Sequence, residues 1–259
     1  MKETLNIGLF QYDILWENIA ENKLKIERSI ASFKEEIDLL ILPETFLTGF
    51  TKNGPSYAIE HDNETLDWLR NMSVKYQTAI CGSVYFKKDQ NYTNRFLFVH
   101  PNGQIDHYDK RHLFSLGGEA DQYTAGTQQT IINYLGWKIS PTVCYDLRFP
   151  VWMRNKHLSY DLLINVANWP AKRNLAWTTL LAARAIENQC YSIGVNRVGK
   201  DQYGITYEGN SQAFNYLGEP LLKMENKEKI EKVALSYTSL KSYRDTFPFH
   251  ADADDFSLL

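Results

Sequence analysis

Three strand-like segments of this chain each lead to a chemically reactive side chain. Ile37 to Leu42 leads to Glu44, Gln104 to Tyr108 leads to Lys110, and Ile139 to Val143 leads directly to Cys144. The polar stretch after Cys144 makes its thiol accessible, whereas a structural cysteine usually has apolar neighbours on both sides. In an α/β protein the ends of strands converge on one cleft, so groups far apart in sequence can meet there. The sequence therefore predicts an α/β fold whose cleft holds a carboxylate, an ammonium and a thiol.

These three groups together suit acyl transfer. A free thiol has a pKa of about 8.5 and is largely protonated at neutral pH, so Cys144 needs a base. Glu44 can be that base in a desolvated site, which Pro43 and Phe46 beside it predict. Lys110 can stabilise the oxyanion of a tetrahedral intermediate, and losing one such donor typically costs roughly 3 to 4 kcal/mol of barrier.

Strand and helix patterns alternate along the chain, beginning with a β-α-β unit. The predicted strands are Leu5–Tyr12, Ile37–Leu42, Thr78–Phe86, Arg95–His100, Gln104–Tyr108, Leu162–Val166, Tyr191–Asn196, Pro220–Met224 and Lys229–Leu235. The predicted helices are Ile19–Phe33, Thr65–Tyr76, Val151–Leu158 and Leu175–Gln189, the last with Asn174 as its N-cap. Two apolar-faced sheets with helices outside both would bury these elements, and no flexible linker divides them. We expect one domain over residues 1–259, with a loosely held tail from about residue 247.

The predicted helix Val151–Leu158 begins just beyond Cys144. A helix N-terminus near a thiol favours its ionised form, so this helix and nearby charge are expected to activate Cys144. Cys81 and Cys190 lie within apolar or strand-like surroundings and are expected to be buried structural cysteines.

Several classes of protein are disfavoured by composition. A net charge of −3 and the lack of a basic cluster argue against nucleic acid as a partner. The N-terminus has no signal-peptide pattern and no apolar run approaches the roughly 20 residues that span a bilayer, so a cytoplasmic protein that does not bind membranes is expected. Three cysteines fit a reducing compartment. The spacing of His107 and His112 suits no metal site, and no phosphate-binding glycine loop is present, so neither a metal nor another cofactor is expected.

The motifs around the three reactive residues resemble those of the nitrilase superfamily, the carbon–nitrogen hydrolases. They are LLILPETFLTGF around Glu44, YDKRHLF around Lys110 and PTVCYDLRFP around Cys144. Their order and separation fit that family, and the similarity covers nearly the whole chain. The segment ANWPAKRNLAWTTLLAARAIENQ resembles the omega-amidase-like branch.

The resemblance implies a four-layer α-β-β-α sandwich with two mixed β-sheets. It implies Glu44 as general base, Lys110 as stabiliser of the intermediate and Cys144 as nucleophile. Further site residues follow by the same resemblance: Glu119 as the second family glutamate, the backbone N–H of Tyr145 in the oxyanion hole, and Asn168 and Trp169 as pocket residues.

The implied reaction is hydrolysis of a small linear amide by water, through a thioester and with release of ammonia. The omega-amide of a dicarboxylate, of the 2-oxoglutaramate or 2-oxosuccinamate type, is the expected substrate. Its distant carboxylate needs a cation, for which Arg173 is the candidate, ahead of Lys172, while Arg148 is a candidate structural residue.

Other functions remain open on the same fold. They are an N-carbamoyl hydrolase, a deaminated-glutathione amidase, a nitrilase, and an inactive binding or scaffold protein. The resemblance also implies a homodimer.

Overall fold

The computed structural model describes residues 1–61 and 63–258, which form two stacked β-sheets with helices on the outer faces. The strands are β1 (Thr4–Gln11), β2 (Leu39–Ile41), β3 (Ala79–Lys88), β4 (Asn91–Val99), β5 (Ile105–Asp109), β6 (Ile132–Tyr134), β7 (Trp137–Val143), β8 (Leu162–Ala167), β9 (Tyr191–Asn196), β10 (Val198–Lys200), β11 (Thr206–Glu208), β12 (Gln212–Phe214), β13 (Pro220–Lys223) and β14 (Lys229–Ser236). The α-helices are α1 (Ile19–Ser32), α2 (Glu64–Tyr76), α3 (Asn174–Asn188) and α4 (Tyr237–Thr246).

Both large sheets are mixed and have six strands each. The first has the order β14-β1-β2-β3-β4-β5, with β1, β2 and β3 parallel to one another. The second has the order β13-β12-β9-β8-β7-β6, with β7, β8 and β9 parallel. The short strands β10 and β11 form a separate hairpin. This arrangement confirms the predicted four-layer sandwich.

Successive side chains along the strands of the first sheet point alternately into two different hydrophobic cores. Leu39 and Ile41 belong to the core that contains residues of both sheets, whereas Leu40 and Leu42 pack with residues of α1 and α2. This is the period of two that a strand buried on both faces requires. On the second sheet, α3 lies so close to β9 that a Cβ at Gly194 would overlap the side chains of Trp177 and Leu181.

The predicted helix over Val151–Leu158 is wrong. This segment contains turns and a short 3-10 stretch at Lys156–Leu158, in which His157 has a positive φ of 53°. Asn155 explains the interruption, because its side-chain amide donates to the carbonyl oxygens of Tyr160 and Asn188 (2.9 and 3.0 Å). Such side-chain to backbone bonds compete with helix formation.

Two further details of the helices differ from the sequence-based expectations. Asn174 does not cap α3, because a 3-10 turn over Ala171–Arg173 leads into the helix and the Asn174 amide donates to Glu208 (2.8 Å). Helix α4 was not predicted, since Leu240 is its one fully buried apolar residue and the apolar periodicity is weak.

The chain after α4 is mostly exposed and forms a short 3-10 turn at Phe249–Asp252. It contacts the rest of the protein where the His250 N–H donates to the Gln189 side chain (3.2 Å) and where Lys156 lies 3.6 Å from the Asp255 carboxylate. In the described part of the chain, every helix is too short or too polar to cross a lipid bilayer.

Candidate active site

Glu44 lies just beyond the end of β2 and is completely buried. One carboxylate oxygen accepts a hydrogen bond from Lys110 Nζ (2.9 Å), and the other accepts from the backbone N–H of Asn168 (2.9 Å). The Asn168 side chain also donates to the carbonyl oxygen of Glu44 (2.8 Å). Since Glu44 follows a strand of the first sheet and Asn168 follows β8 of the second, these bonds join the two sheets at the site.

Lys110 directly follows β5 and is buried between two carboxylates. Its Nζ lies 2.9 Å from Glu44 Oε1 and 3.0 and 2.8 Å from the two oxygens of Glu119. Burial alone would lower the pKa of Lys110, but the negative charges of Glu119 and Glu44 outweigh it and hold the pKa above its usual range. Lys110 is therefore a fixed positive charge at neutral pH.

Glu119 lies in the loop of 3-10 turns that follows the lysine segment, and its side chain is buried. Its Oε2 also accepts from the backbone N–H of Phe114 (2.6 Å). Burial raises the pKa of Glu119 above its usual range, opposed by Lys110 and reinforced by the charge of Glu44. The second carboxylate thus provides two further contacts that hold Lys110 in place.

Cys144 directly follows β7 and begins a short 3-10 turn, Cys144–Arg148. Its φ is +45°, in the left-handed region that costs a non-glycine residue about 1 to 3 kcal/mol. Such strain typically occurs at functional sites. The backbone N–H of Tyr145 has no partner within the turn, because the first N–H groups of a helical turn never do. Among the described residues, no hydrogen bond from it to a group outside the turn is found.

The expectation that surrounding charge ionises the Cys144 thiol is wrong. Burial and the negative charge of Glu44 raise its pKa well above the usual value, and Lys110 only partly opposes them. The predicted α-helix after the thiol is absent, so no helix N-terminus acts on it. The thiol therefore depends on a neighbouring base for deprotonation, and Glu44 is the carboxylate that can accept its proton.

Asp146 anchors the turn that carries Cys144. It is completely buried, and one oxygen accepts from the Val143 N–H (3.0 Å) and the Tyr108 hydroxyl (2.9 Å). Its other oxygen accepts from the N–H of His112 (2.9 Å) and lies 2.8 Å from His112 Nδ1. This network ties the end of β7 to β5 and the segment after it, and so fixes the distance between thiol and ammonium.

A cavity of about 620 Å³ opens over these groups. Seven of the eight residues singled out in the sequence line it, namely Glu44, Lys110, Cys144, Tyr145, Asn168, Trp169 and Arg173. The eighth, Glu119, does not line the cavity but contacts Lys110. The structure thus brings all eight residues together, although they come from distant parts of the chain.

Two arginines in this cavity lie over aromatic rings. The Arg173 guanidinium is 5.6 Å from the ring centre of Phe114, and the Arg148 guanidinium is 4.9 Å from that of Trp169. Both side chains are exposed, and neither forms a salt bridge with a residue that the structure describes. Arg148 is therefore a further cation of the cavity, beside Lys52, Lys110 and Arg173, whereas Lys172 does not line it.

Sequence analysis missed two contributions to the site. Asn94 on β4 donates to both carboxylates, 2.9 Å to Glu44 and 3.2 Å to Glu119. The β10–β11 hairpin supplies Tyr203 and Tyr207 to the cavity wall. Asn94 gave no signal because it precedes the predicted strand Arg95–His100, and the hairpin strands are too short for a clear period.

Comparison with known proteins decides the family. The model of the carbon–nitrogen hydrolase family matches residues 6–245. The chain belongs to the carbon–nitrogen hydrolases. It is 45% identical to the omega-amidase YafV of Yersinia enterocolitica over 257 residues, which cover 99% of each chain. It is also 32% identical to the 2-oxoglutaramate amidase of Bacillus subtilis, with 95% of this chain and 96% of the relative covered.

A solved structure is also similar to this hydrolase. A carbon–nitrogen hydrolase superfamily protein from Xanthomonas campestris, solved with an arsenic adduct in its active site, superimposes with a TM-score of 0.97 at 38% identity, with 100% of both chains covered. This similarity agrees with the fold of the hydrolase over its entire length.

Proposed function

We propose that this hydrolase cleaves the omega-amide of a small dicarboxylate, of the 2-oxoglutaramate or 2-oxosuccinamate type, and releases ammonia. The observation that carries the proposal is the contact between Glu44 and Lys110 in a cavity that also holds the Cys144 thiol and two arginines. Neither arginine has a carboxylate partner among the residues that the structure describes. The omega-amidase and 2-oxoglutaramate amidase names of the relatives support the same substrate class.

In the first half of the reaction, Glu44 takes the proton of the Cys144 thiol and the sulfur attacks the amide carbon. The carbonyl oxygen becomes negative, and Lys110 Nζ with the Tyr145 N–H stabilises it. Collapse of this intermediate breaks the carbon–nitrogen bond, and Glu44 gives its proton to the departing nitrogen. Ammonia leaves and the acyl group remains on sulfur as a thioester.

In the second half, Glu44 takes a proton from water, and the resulting hydroxide attacks the thioester carbon. The carbon–sulfur bond breaks, the acid is released and the thiolate recovers the proton from Glu44. Glu119 reaches no reacting atom in this scheme. Its two contacts with Lys110 keep the ammonium charged and in place.

The carboxylate at the far end of the substrate binds an arginine. Arg173 is the first candidate and Arg148 the second, since both guanidinium groups line the cavity and can form bidentate contacts with a carboxylate. Stacking on Phe114 and Trp169 restricts the rotation of these long side chains before the substrate arrives. Asn168 and Trp169 line the same cavity as the arginines and the thiol.

Ammonia release from a panel of compounds tests this function. The panel contains the monoamides of 2-oxoglutarate and 2-oxosuccinate, a neutral amide of similar length, an N-carbamoyl compound and a nitrile. We expect the acidic monoamides to have the highest kcat/KM and Cys144→Ala to be inactive. Highest activity on the carbamoyl compound or the nitrile would replace the proposed substrate class, and inactivity on all of them would favour a binding or scaffold function.

Arg173→Gln and Arg148→Gln separate carboxylate binding from general damage. Loss of a charge-assisted contact should raise KM about 10- to 100-fold for the acidic monoamide and leave the neutral amide almost unchanged. Equal losses on both substrates would remove the altered arginine from this role.

The hydrolase is also proposed to be a cytoplasmic homodimer. Leu116 and Leu175 near the cavity are exposed, with 92% and 83% of their surface accessible, and such side chains favour contact with a second copy. Light scattering after size exclusion should give twice the mass of the chain; a monomer mass at working concentration would contradict the dimer.

A further inference from the structure

We propose that Asn94 is a positioning residue, whose amide holds Glu44 and Glu119 around Lys110 so that Glu44 is free to accept the Cys144 proton. This inference rests on the proposed function and adds one residue to it. Asn94 lies on β4 and is completely buried. Its Nδ2 lies 2.9 Å from Glu44 Oε1 and 3.2 Å from Glu119 Oε1, so its two N–H groups serve two different carboxylates.

Asn94 also holds the backbone of the segment that carries Lys110. Its carbonyl oxygen accepts a hydrogen bond from the Lys110 N–H (2.9 Å), which continues the pairing of β4 with β5 by one residue. One residue therefore contacts the base, the ammonium segment and the second carboxylate. Among the described residues, Lys110 is the other side chain that donates to both carboxylates.

The orientation of the Asn94 amide is set by these acids. Its Oδ1 is buried and has no hydrogen-bond partner among the described residues. Turning the amide over would place this oxygen against Glu44 and Glu119, where two negative charges repel it. A buried acceptor without a partner is costly and rare in native proteins, and it is tolerated here in exchange for the two donor contacts.

The charges around Asn94 explain why a neutral donor is needed. Among the described residues, Lys110 is the ammonium that contacts Glu44 and Glu119, so these two buried carboxylates and the nearby Cys144 thiol share one positive charge. The stacked rings of Tyr85 and Tyr123 close the site near Glu119 and add no positive charge. Like charges favour protonation of a carboxylate, and a protonated Glu44 cannot take the thiol proton. A hydrogen bond from Asn94 favours the charged form of each acid and adds no charge of its own.

Three substitutions at this position separate the effect of the N–H donors of Asn94 from the effect of its side-chain volume. Asn94→Leu keeps a similar volume and removes both N–H groups, Asn94→Asp replaces the donor by a third carboxylate, and Asn94→Ser restores a small hydroxyl donor. Asn165→Leu is the matched control, because Asn165 is equally buried, donates to Thr142 Oγ1 (2.9 Å) and has an unpartnered Oδ1, but touches no carboxylate.

The pH dependence of kcat/KM for the acidic monoamide is the decisive measurement. Asn94→Leu and Asn94→Asp should lower kcat about 10- to 100-fold with little change in KM, and should move the acid limb of the profile up by about one pH unit. Asn94→Ser should recover part of the loss, and Asn165→Leu should stay within about threefold of wild type. Activity of Asn94→Leu within twofold of wild type, or a loss without a shift of the acid limb, would overturn the proposal.

A second measurement needs no substrate, so it tests the role of Asn94 even if the proposed function is wrong. The rate of iodoacetamide modification at Cys144 reports how readily Glu44 accepts the thiol proton. We expect Asn94→Leu to slow it about tenfold at neutral pH and Asn165→Leu to leave it unchanged. If the wild type released no ammonia from any amide, the proposed function would fail, while this rate would still support or refute the role of Asn94. Circular dichroism of each variant establishes whether the protein is folded. If Asn94→Asp is not folded, Asn94→Ser is compared with the wild type in its place.

Discussion

At the scale of single residues, the site depends on a buried ammonium shared by two buried carboxylates. Lys110 contacts Glu44 and Glu119 at 2.8 to 3.0 Å, and all three side chains are shielded from solvent. Breaking such a cluster on one side is far more damaging than removing it altogether, because the remaining charges are buried without a partner. The structural and chemical roles of Lys110 therefore coincide.

Lys110→Met should lower the free energy of unfolding by about 3 to 5 kcal/mol at neutral pH. The deficit should shrink as the pH falls toward about 5. Without the ammonium, the folded variant holds a proton on its carboxylates that the unfolded chain releases above about pH 4.3, so its stability falls as the pH rises. Urea unfolding at several pH values measures this. In Lys110→Met/Glu119→Gln, part of the lost stability should return; an additive further loss would contradict the coupling of these charges.

At the scale of elements, the turn after β7 determines where the thiol lies. Cys144 adopts a left-handed backbone conformation, and Asp146 two residues later gathers donors from β5, β7 and the segment of His112. The position of the three reactive residues at strand ends was predictable, since each follows a clear strand pattern. The turn itself was not, because its geometry comes from the buried Asp146 network and not from local propensity.

Asp146→Ala should lower the free energy of unfolding by about 3 kcal/mol or more and reduce kcat of the folded enzyme at least about tenfold. The physical reason is that four donors lose their acceptor and the sulfur atom loses its fixed position. Asp161→Ala is the control, because Asp161 is also buried and accepts from Lys138 N–H and Arg244, away from the cavity. It should lose stability and keep kcat. A similar kcat loss in both variants would contradict the anchoring role of Asp146.

The limits of the sequence are clearest in the cavity wall. Asn168 and Trp169 were found because the family motif includes them, and Arg173 because it follows them in a loop expected to face the cleft. Arg148 was interpreted as structural, and only the folded chain reveals that its guanidinium lies over Trp169 in the cavity. Sequence patterns predict which strand end a residue follows, but the direction of a long side chain depends on the packing around it.

At the scale of the whole molecule, one core contains residues of both sheets. It includes Leu39 and Ile41 of the first sheet and Ile139 and Ile164 of the second. Hydrogen bonds between Glu44 and Asn168 join the same two sheets at the site. Neither sheet can therefore lose its packing without exposing the inner face of the other, which supports the single domain expected from the sequence.

Differential scanning calorimetry should accordingly show one cooperative unfolding transition for the whole chain. Cys144→Ala should leave it a single transition, since the hydrogen bonds between Glu44 and Asn168 that join the sheets do not involve the sulfur atom. Two resolved transitions, one for each sheet, would contradict a single cooperative domain.

The reaction depends above all on Glu44 taking the proton of the Cys144 thiol, whose pKa burial raises. Brief iodoacetamide treatment followed by mass spectrometry of each cysteine peptide tests it most directly. We predict that Cys144 reacts far faster than the buried Cys81 and Cys190 at neutral pH. We also predict that Glu44→Gln slows Cys144 about 100-fold and makes its rate climb with pH, because the thiol must then lose its proton to solvent. A Cys144 that reacts as slowly as the other two cysteines, or at an unchanged rate in Glu44→Gln, would contradict the claim.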